Sequence, residues 1–264
     1  GTGAESRAVG EAVLGRPAEG DELLDVLEAR QNHFPMLETA AEDLSDEAGL
    51  RQSALESGLS RHLAEAHGHV VRSMPARVME TTPYRHDFRG KRVLFNELTA
   101  AETRVFALGK IVAELRLRDE INDIIAAAKL REPASEAMLR TTLTSYFAAA
   151  LMMPYARFTE AALETRHDID ILQARFGASF EQVAHRLTTL QRPGTRALPF
   201  FLLRMDAAGN VSKRFSAGGF SFSRYGGACP AWSIVNAPRH PGNLGVDKVQ
   251  LPDGGAFLSL AKSI

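Results

Sequence analysis

Apolar residues recur at helical spacing across residues 21–50: Leu23, Leu24, Val26 and Leu27, then Phe34, Met36, Leu37, Ala40, Leu44 and Leu50, with acids between them. Spacing of three to four predicts amphipathic helix, and Pro35 breaks the run into two short helices. A third helix spans Leu55 to Ala66 and stops at His67-Gly68, where glycine accepts the left-handed conformation that closes a helix. The period then changes. Val70 to Met74 and Arg92 to Phe95 are short β-like runs set among Pro75, Pro83 and Gly90, which predicts a small sheet. Helical spacing resumes over Thr99 to Leu117 and over Ser135 to Met153, the latter apolar almost all round and stopped by Pro154.

Arg157 to Thr189 reads as helices around a turn at Phe176-Gly177, with Ser179 as N-cap before Phe180, Val183 and Leu187. Gln191-Arg192-Pro193-Gly194 ends that pattern. Phe200 to Leu203, the turn residues Asp206 to Asn210 and the alternating Val211 to Phe215 predict a hairpin, and Val246–Leu251 with Ala256–Ala261 a second. The expected fold class is α+β: a helical region over 1–50, a mixed core over 51–156, helix-turn-helix-like helices over 157–195 and a mainly β domain over 196–264.

A hydrophobic content of 45% and a charged content of 24% over 264 residues suit a globular protein with packed cores. No run approaches the ~18 apolar residues that a membrane span needs, so a soluble, cytoplasmic protein with no membrane partner is expected. The chain opens Gly1-Thr2-Gly3, with neither a methionine nor a basic start leading into an apolar run, and reads as an excised fragment. Cys229 is the only cysteine, which excludes intrachain disulfides and all-cysteine metal sites within one chain. The formal net charge of −1 hides a split: residues 185–264 hold ten Lys/Arg against three Asp, a balance of +7 that leaves −8 for the rest. One end is built to meet an anion.

The order helix, small sheet, helix, then a helix ending YFAAALMMP resembles the metallopeptidase-like domain of the IrrE/ImmA type. In that domain one helix carries His-Glu-x-x-His and a later helix supplies a carboxylate, two histidines one turn apart being what a zinc ion requires. Here Lys110, Ile111 and Glu114 occupy the His, Glu and His places and Thr141 the carboxylate place. The resemblance therefore implies a degenerate, zincin-like core with no metal site and no catalysis. The longer pattern EARQNHFPMLETAAEDL, SYFAAALMMPYARF, FGASFEQVAHRLTTLQRPG, PFFLLRMDAAGNVSKRFS and YGGACPAW resembles the short-chain fatty acyl-CoA regulator family, bacterial transcription factors of propionate and methylcitrate metabolism. It covers nearly the whole chain. It implies an effector and oligomerisation region, a homodimer or higher homo-oligomer, that answers to a short acyl-CoA, propionyl-CoA first. The DNA-reading helix-turn-helix domain is not found in these residues. Some relatives hold an iron–sulfur cluster through several cysteines; Cys229 alone speaks against one here.

An acyl-CoA asks for cationic forks at its phosphates, an aromatic or apolar wall for adenine and a narrow apolar slot. Arg30, Arg140, Tyr146, Tyr155, Arg157, Arg186 and Arg192 are the candidates, because they cluster on the family-like segments. Against this stands pairing of the arginines with local acids such as Glu160, Glu164 and Glu181, and ordinary core packing for the apolar stripe of Phe147 and Met153. Gly109 would leave room for a short acyl chain if the slot lay between the helices at 99–117 and 135–153. His67-x-His69 lacks a third ligand and reads as a solvent-facing pair. The glycines at 218–219 and 226–227, near Lys213, Arg214 and Arg224, could form an anion-binding nest or plain turns. Two other readings stay open: a DNA- or protein-binding module without a small ligand, with Arg186 and His185 on the second helix of the 169–190 element entering a groove, and, against the missing motif, a zinc metallopeptidase.

Overall fold

The computed structural model describes residues 21–206, 211–217, 237, 240, 243–250 and 255–263. Helices α1 (Asp21–Ala29) and α2 (Pro35–Glu47) form the predicted pair, with Pro35 as the first residue of α2, where its missing amide costs no helical bond. Helix α3 (Leu55–His67) closes on Gly68 at φ +69°. Strand β1 (Val70–Met74), the one-turn helix α4 (Ala76–Met79), β2 (Tyr84–Asp87) and β3 (Arg92–Asn96) follow. The sheet order is β1-β3-β2, with β1 parallel and β2 antiparallel to the central β3. Then come α5 (Ala101–Arg116), α6 (Arg118–Ala128), α7 (Pro133–Met152), α8 (Tyr155–Glu164), α9 (Ile169–Phe176) and α10 (Phe180–Leu187).

Three of these elements have no counterpart in the pattern reading. β2 reads Tyr-Arg-His-Asp, a four-residue edge strand too polar to announce itself. α4 is a single turn. α6 begins directly after Leu117 with only Ile121 and Ile125 fully buried, so no proline or glycine separates it from α5 and no strong stripe marks it.

Helix α7 is the axis of the core. Every residue from Tyr146 to Met152 is 2% exposed or less, which is why its sequence is apolar all round. α2, α5 and α10 pack on it, and one continuous apolar cluster runs from Leu23 to Leu190. Where α5 crosses α7, a Cβ on Gly109 would stand 2.9 Å from Ala148 Cβ and 3.0 Å from Ala148 Cα. Gly109 is thus filled by backbone approach, and the acyl slot imagined there does not exist.

Both hairpins form. β4 (Phe201–Met205) pairs antiparallel with β5 (Val211–Ser216), and β6 (Leu244–Gln250) with β7 (Ala256–Lys262). Phe215 packs on the His185 ring at 4.4 Å, Phe201 meets Phe257 at 5.9 Å, and Lys262 Nζ reaches Asp170 Oδ1 at 3.1 Å, so the hairpins dock on α9 and α10. Cys229 and the four glycines of the suggested nest lie outside the described residues. Among the described residues no helix is long and apolar enough to cross a membrane.

Candidate functional site

The turn between α1 and α2 holds two consecutive left-handed residues, Gln31 and Asn32, both at φ +50°. That turn aims Asn32, His33 and Phe34 into the protein, where all three are buried. Asn32 Nδ2 donates to Thr188 Oγ1 at 2.7 Å at the end of α10. The His33 Nδ1–H is shared between Thr189 O at 3.3 Å and the Tyr146 hydroxyl at 3.2 Å, which fixes the tautomer and leaves Nε2 without a partner.

One turn into α2, Glu38 meets Arg186 from α10 in a two-point pair: Nη1 to Oε1 at 2.6 Å and Nη2 to Oε2 at 2.9 Å. Both side chains are buried, at 0% and 1% exposure. Tyr146 donates its hydroxyl to the same Glu38 Oε1 at 2.6 Å and accepts from the Phe34 amide at 3.3 Å. Arg186 Nε donates to Met153 O at 2.9 Å and Nη1 to Thr189 Oγ1 at 3.0 Å. Burial alone would raise the Glu38 carboxyl, but the charge and hydrogen bonds of Arg186, helped by Tyr146, outweigh it and hold the carboxyl below its ordinary value. Burial opposes the Arg186 charge, and Glu38 more than restores it. Burial, and then the Glu38 charge, push the Tyr146 hydroxyl well up. At any moderate pH the trio is guanidinium, carboxylate and neutral phenol.

Tyr155 opens α8 beside this pair. Its hydroxyl donates to Thr195 O at 3.0 Å and accepts from the Arg192 amide at 2.9 Å. The Arg192 guanidinium covers its ring at 4.4 Å and donates Nη2 to Glu42 Oε1 at 2.6 Å. That last pair is partly exposed, at 32% and 42%.

Four of the seven sequence candidates, Tyr146, Tyr155, Arg186 and Arg192, are therefore brought together, although Arg186 is withdrawn from solvent. Arg30 lies at the rim, 5.9 Å from the Phe34 ring centroid. Arg140 is elsewhere, exposed on α7 and donating to Asn122 Oδ1 at 2.6 Å, and Arg157 is exposed on α8. The acids that pair with Arg186 and Arg192 are Glu38 and Glu42, not Glu160, Glu164 or Glu181; Glu164 holds Arg175 and Glu181 meets Arg204. The 169–190 element is correct as two helices around Gly177, with a full capping box on Ser179. Its Arg186 and His185 are 0% and 8% exposed, however, so the face that would have to enter a DNA groove is packed inward.

The positions of the peptidase motif do not fit zinc. Ile111 is in the core, the Glu114 side chain is half exposed under the charges of Lys110, Arg140 and Arg118, and the Thr141 hydroxyl donates to Ala137 O at 3.0 Å. Lys110 brings a positive charge where the metal would sit, and no base replaces the glutamate. His69 also departs from expectation: it is 3% exposed instead of facing solvent. The pattern reading missed an open groove of about 750 Å³ between α3, β1 and α5, lined by Ser53, Ser57, Ser60, Arg72 and Arg104. Ser57 and Ser60, three apart on one face of α3, were its available signal. Arg104 is held there by Glu56 at 2.7 Å and Ser73 at 2.9 Å.

Fold and site together define a peptidase-like domain with Lys110, Ile111 and Glu114 at the places of the His-Glu-x-x-His motif, carrying a β-rich C-terminal extension. Residues 64–188 match the model of the IrrE N-terminal-like domain, and residues 189–264 match that of the short-chain fatty acyl coenzyme A regulator, C-terminal. The chain is 36% identical over 244 residues to the HTH-type transcriptional regulator RamB of Mycobacterium tuberculosis, covering 92% of this chain and 51% of that protein. It is 36% identical over 250 residues to the propionyl-CoA carboxylase regulator of Cereibacter sphaeroides, covering 94% and 52%. It is 35% identical over 263 residues to the HTH-type transcriptional regulator PrpR of M. tuberculosis, covering 99% and 54%. A solved M. tuberculosis transcriptional regulator superposes with a TM-score of 0.87 at 35% identity, over 93% of this chain and 74% of that one. The chain belongs to the short-chain fatty acyl-CoA regulator family. It spans about half the length of the curated relatives it matches.

Proposed function

We propose that these residues form the effector-binding and oligomerising region of a transcription regulator that senses a short-chain acyl-CoA, propionyl-CoA first. The observation that carries this reading is the contrast within the candidate site. The Arg186–Glu38 pair is sealed, and breaking it would strand a buried charge. The Arg192–Glu42 pair is half exposed, contributes at most about 1 kcal/mol, and is readily exchanged for a phosphate held by the same guanidinium. Arg192 and Arg30 offer the cations that a CoA moiety requires; the buried Tyr155 ring backs the Arg192 guanidinium, and Arg186, Glu38 and Tyr146 form the frame that holds them.

The α1–α2 turn is the element through which a ligand would act, since it is tied to α10 by Asn32 and His33 and to α7 through Tyr146. A ligand that binds better to one arrangement of this turn biases a dimer or larger assembly, and so the DNA reader, placed by this proposal in a part of the protein outside these residues. No reaction is performed. Isothermal titration with CoA, acetyl-CoA, propionyl-CoA and a longer acyl-CoA tests the reading. Micromolar binding with a chain-length preference supports it; no heat and no thermal shift with any of them would overturn it and favour the module without a small ligand.

A further inference from the structure

The three-stranded sheet turns one face inward and leaves the other open. Val93 and Phe95 of the central β3 are fully buried, and the Arg104 guanidinium of α5 covers the Phe95 ring at 4.8 Å, so the face that carries them packs against the helices. Side chains alternate along a strand, and Arg92 and Leu94 therefore point the opposite way. The register sets Arg72 of β1 and Arg85 of β2 on either side of Leu94 in one row, and Val70 and Asp87 on either side of Arg92 in the next. With strands about 4.8 Å apart, the Arg72 and Arg85 Cα atoms stand roughly 10 Å from each other across the open face. Both arginines are exposed, and Arg77 on α4 and Arg89 and Lys91 in the turn that joins β2 to β3 are exposed at the flanks of the sheet.

Residues 70–92 hold six Lys/Arg against two acids, although the first 184 residues together carry −8. Arginines elsewhere are matched: Arg104, Arg116, Arg131, Arg175 and Arg192 each meet a carboxylate within 3.0 Å. On the sheet Arg92 is matched by Asp87 at 2.8 Å, but among the described residues Arg72, Arg77, Arg85, Arg89 and Lys91 form no ion pair. The nearby carboxylates are turned to their own loops, Asp87 Oδ1 accepting from the Gly90 amide at 2.8 Å and Glu97 Oε1 from the Ala76 amide at 2.9 Å.

We propose that this open face lies against the phosphate backbone of double-stranded DNA, as a sequence-independent contact beside the one made by the DNA reader. Planar guanidinium forks match phosphate oxygens two at a time, and an array of them on a sheet suits a regular polyanion. A protein partner fits less well. The middle of a protein interface is depleted of charge, whereas the middle of this face is two exposed arginines around a half-buried leucine. The contact is distinct from groove entry by the 169–190 element, whose cationic face is packed inward. It rests on reading the chain as part of a transcription regulator and is independent of the acyl-CoA site, so a chain that binds acyl-CoA and no DNA would sink this proposal alone.

Fluorescence anisotropy of the chain with a labelled random-sequence duplex, taken across a salt series, is the test. A Kd of about 1–100 µM at physiological salt is expected, with log K falling against log salt by about 0.9 for each phosphate neutralised. Arg72→Gln with Arg85→Gln should make that slope shallower by about 1.8. Arg131→Gln with Arg175→Gln removes the same charge from arginines that are paired elsewhere on the surface, and should leave the slope unchanged. All four side chains are exposed, so circular dichroism should show every variant folded. No duplex binding at about 50 mM salt, or equal slopes in the two double variants, overturns the proposal, and so does binding of an acidic peptide by Arg72 and Arg85 with none of the duplex.

Discussion

Arg192 addresses Tyr155 twice, through its amide, which donates to the phenol oxygen at 2.9 Å, and through its guanidinium, which covers the ring at 4.4 Å. One residue thus fixes both the hydroxyl and the ring face of a tyrosine that is itself buried. Arg192→Gln keeps the amide bond and removes the fork. On the acyl-CoA reading it should weaken propionyl-CoA binding by about tenfold or more, the loss of one charge-assisted contact of roughly 1.5–3 kcal/mol. Arg104→Gln, in the separate groove, should leave it unaltered. Titration of both variants decides between the two locations.

The sealed pair is a stability element. Glu38→Gln leaves the Arg186 charge buried without a counter-ion, and unfolding free energy should fall by about 3–5 kcal/mol. Glu38→Leu with Arg186→Met, which removes both charges, should recover much of that loss. Denaturant unfolding of the single and double variants measures the coupling.

Acid should loosen the same region above the carboxylate range. Burial holds His33 below its ordinary 6.5, more than the nearby Glu38 raises it. The unfolded chain therefore takes up a proton that the folded chain refuses, so stability present above about pH 6.5 is lost as pH falls through the lower folded value. Glu38, held below its ordinary carboxylate value, adds a second loss at more acid pH. His33→Asn keeps a donor near Thr189 and removes the titration. Its melting temperature should depend less on pH between 7 and 5 than that of the unaltered protein, as followed by circular dichroism.

Gly109→Ala sets two effects against each other. Alanine gains about 1 kcal/mol of helix propensity, but its Cβ would sit 2.9 Å from Ala148 Cβ, and overpacking costs roughly 1–3 kcal/mol. Net destabilisation is expected. Ala148→Gly in the Gly109→Ala background should relieve the clash, a rescue that thermal melting can detect.

Local signals carried most of the helices. Pro35 at the start of α2 and Gly68 at the end of α3 act through their own backbone, and Ser179 ahead of α10 through its own side chain, so the sequence announces them. α6 and β2 lacked such marks: the one follows Leu117 without a breaker, and the other is a short edge whose side chains are mostly polar. The candidate site was half legible. Its arginines and tyrosines stood out by type and clustering, but Glu38 did not, because a buried acid 148 positions from its partner looks like any other acid on an amphipathic helix. Only the packing of α2 against α7 and α10 makes it the counter-ion.

The turn at Gln31 and Asn32 has a bearing on folding order. Its side-chain bond to Thr188 spans 156 positions, so the first helical pair cannot complete its contacts until α10 is in place. The left-handed geometry of two non-glycine residues is then paid for only late, by the closing of a very long loop. Protection of α1 and α2 against hydrogen exchange should consequently rise together with that of α10, as a single cooperative unit.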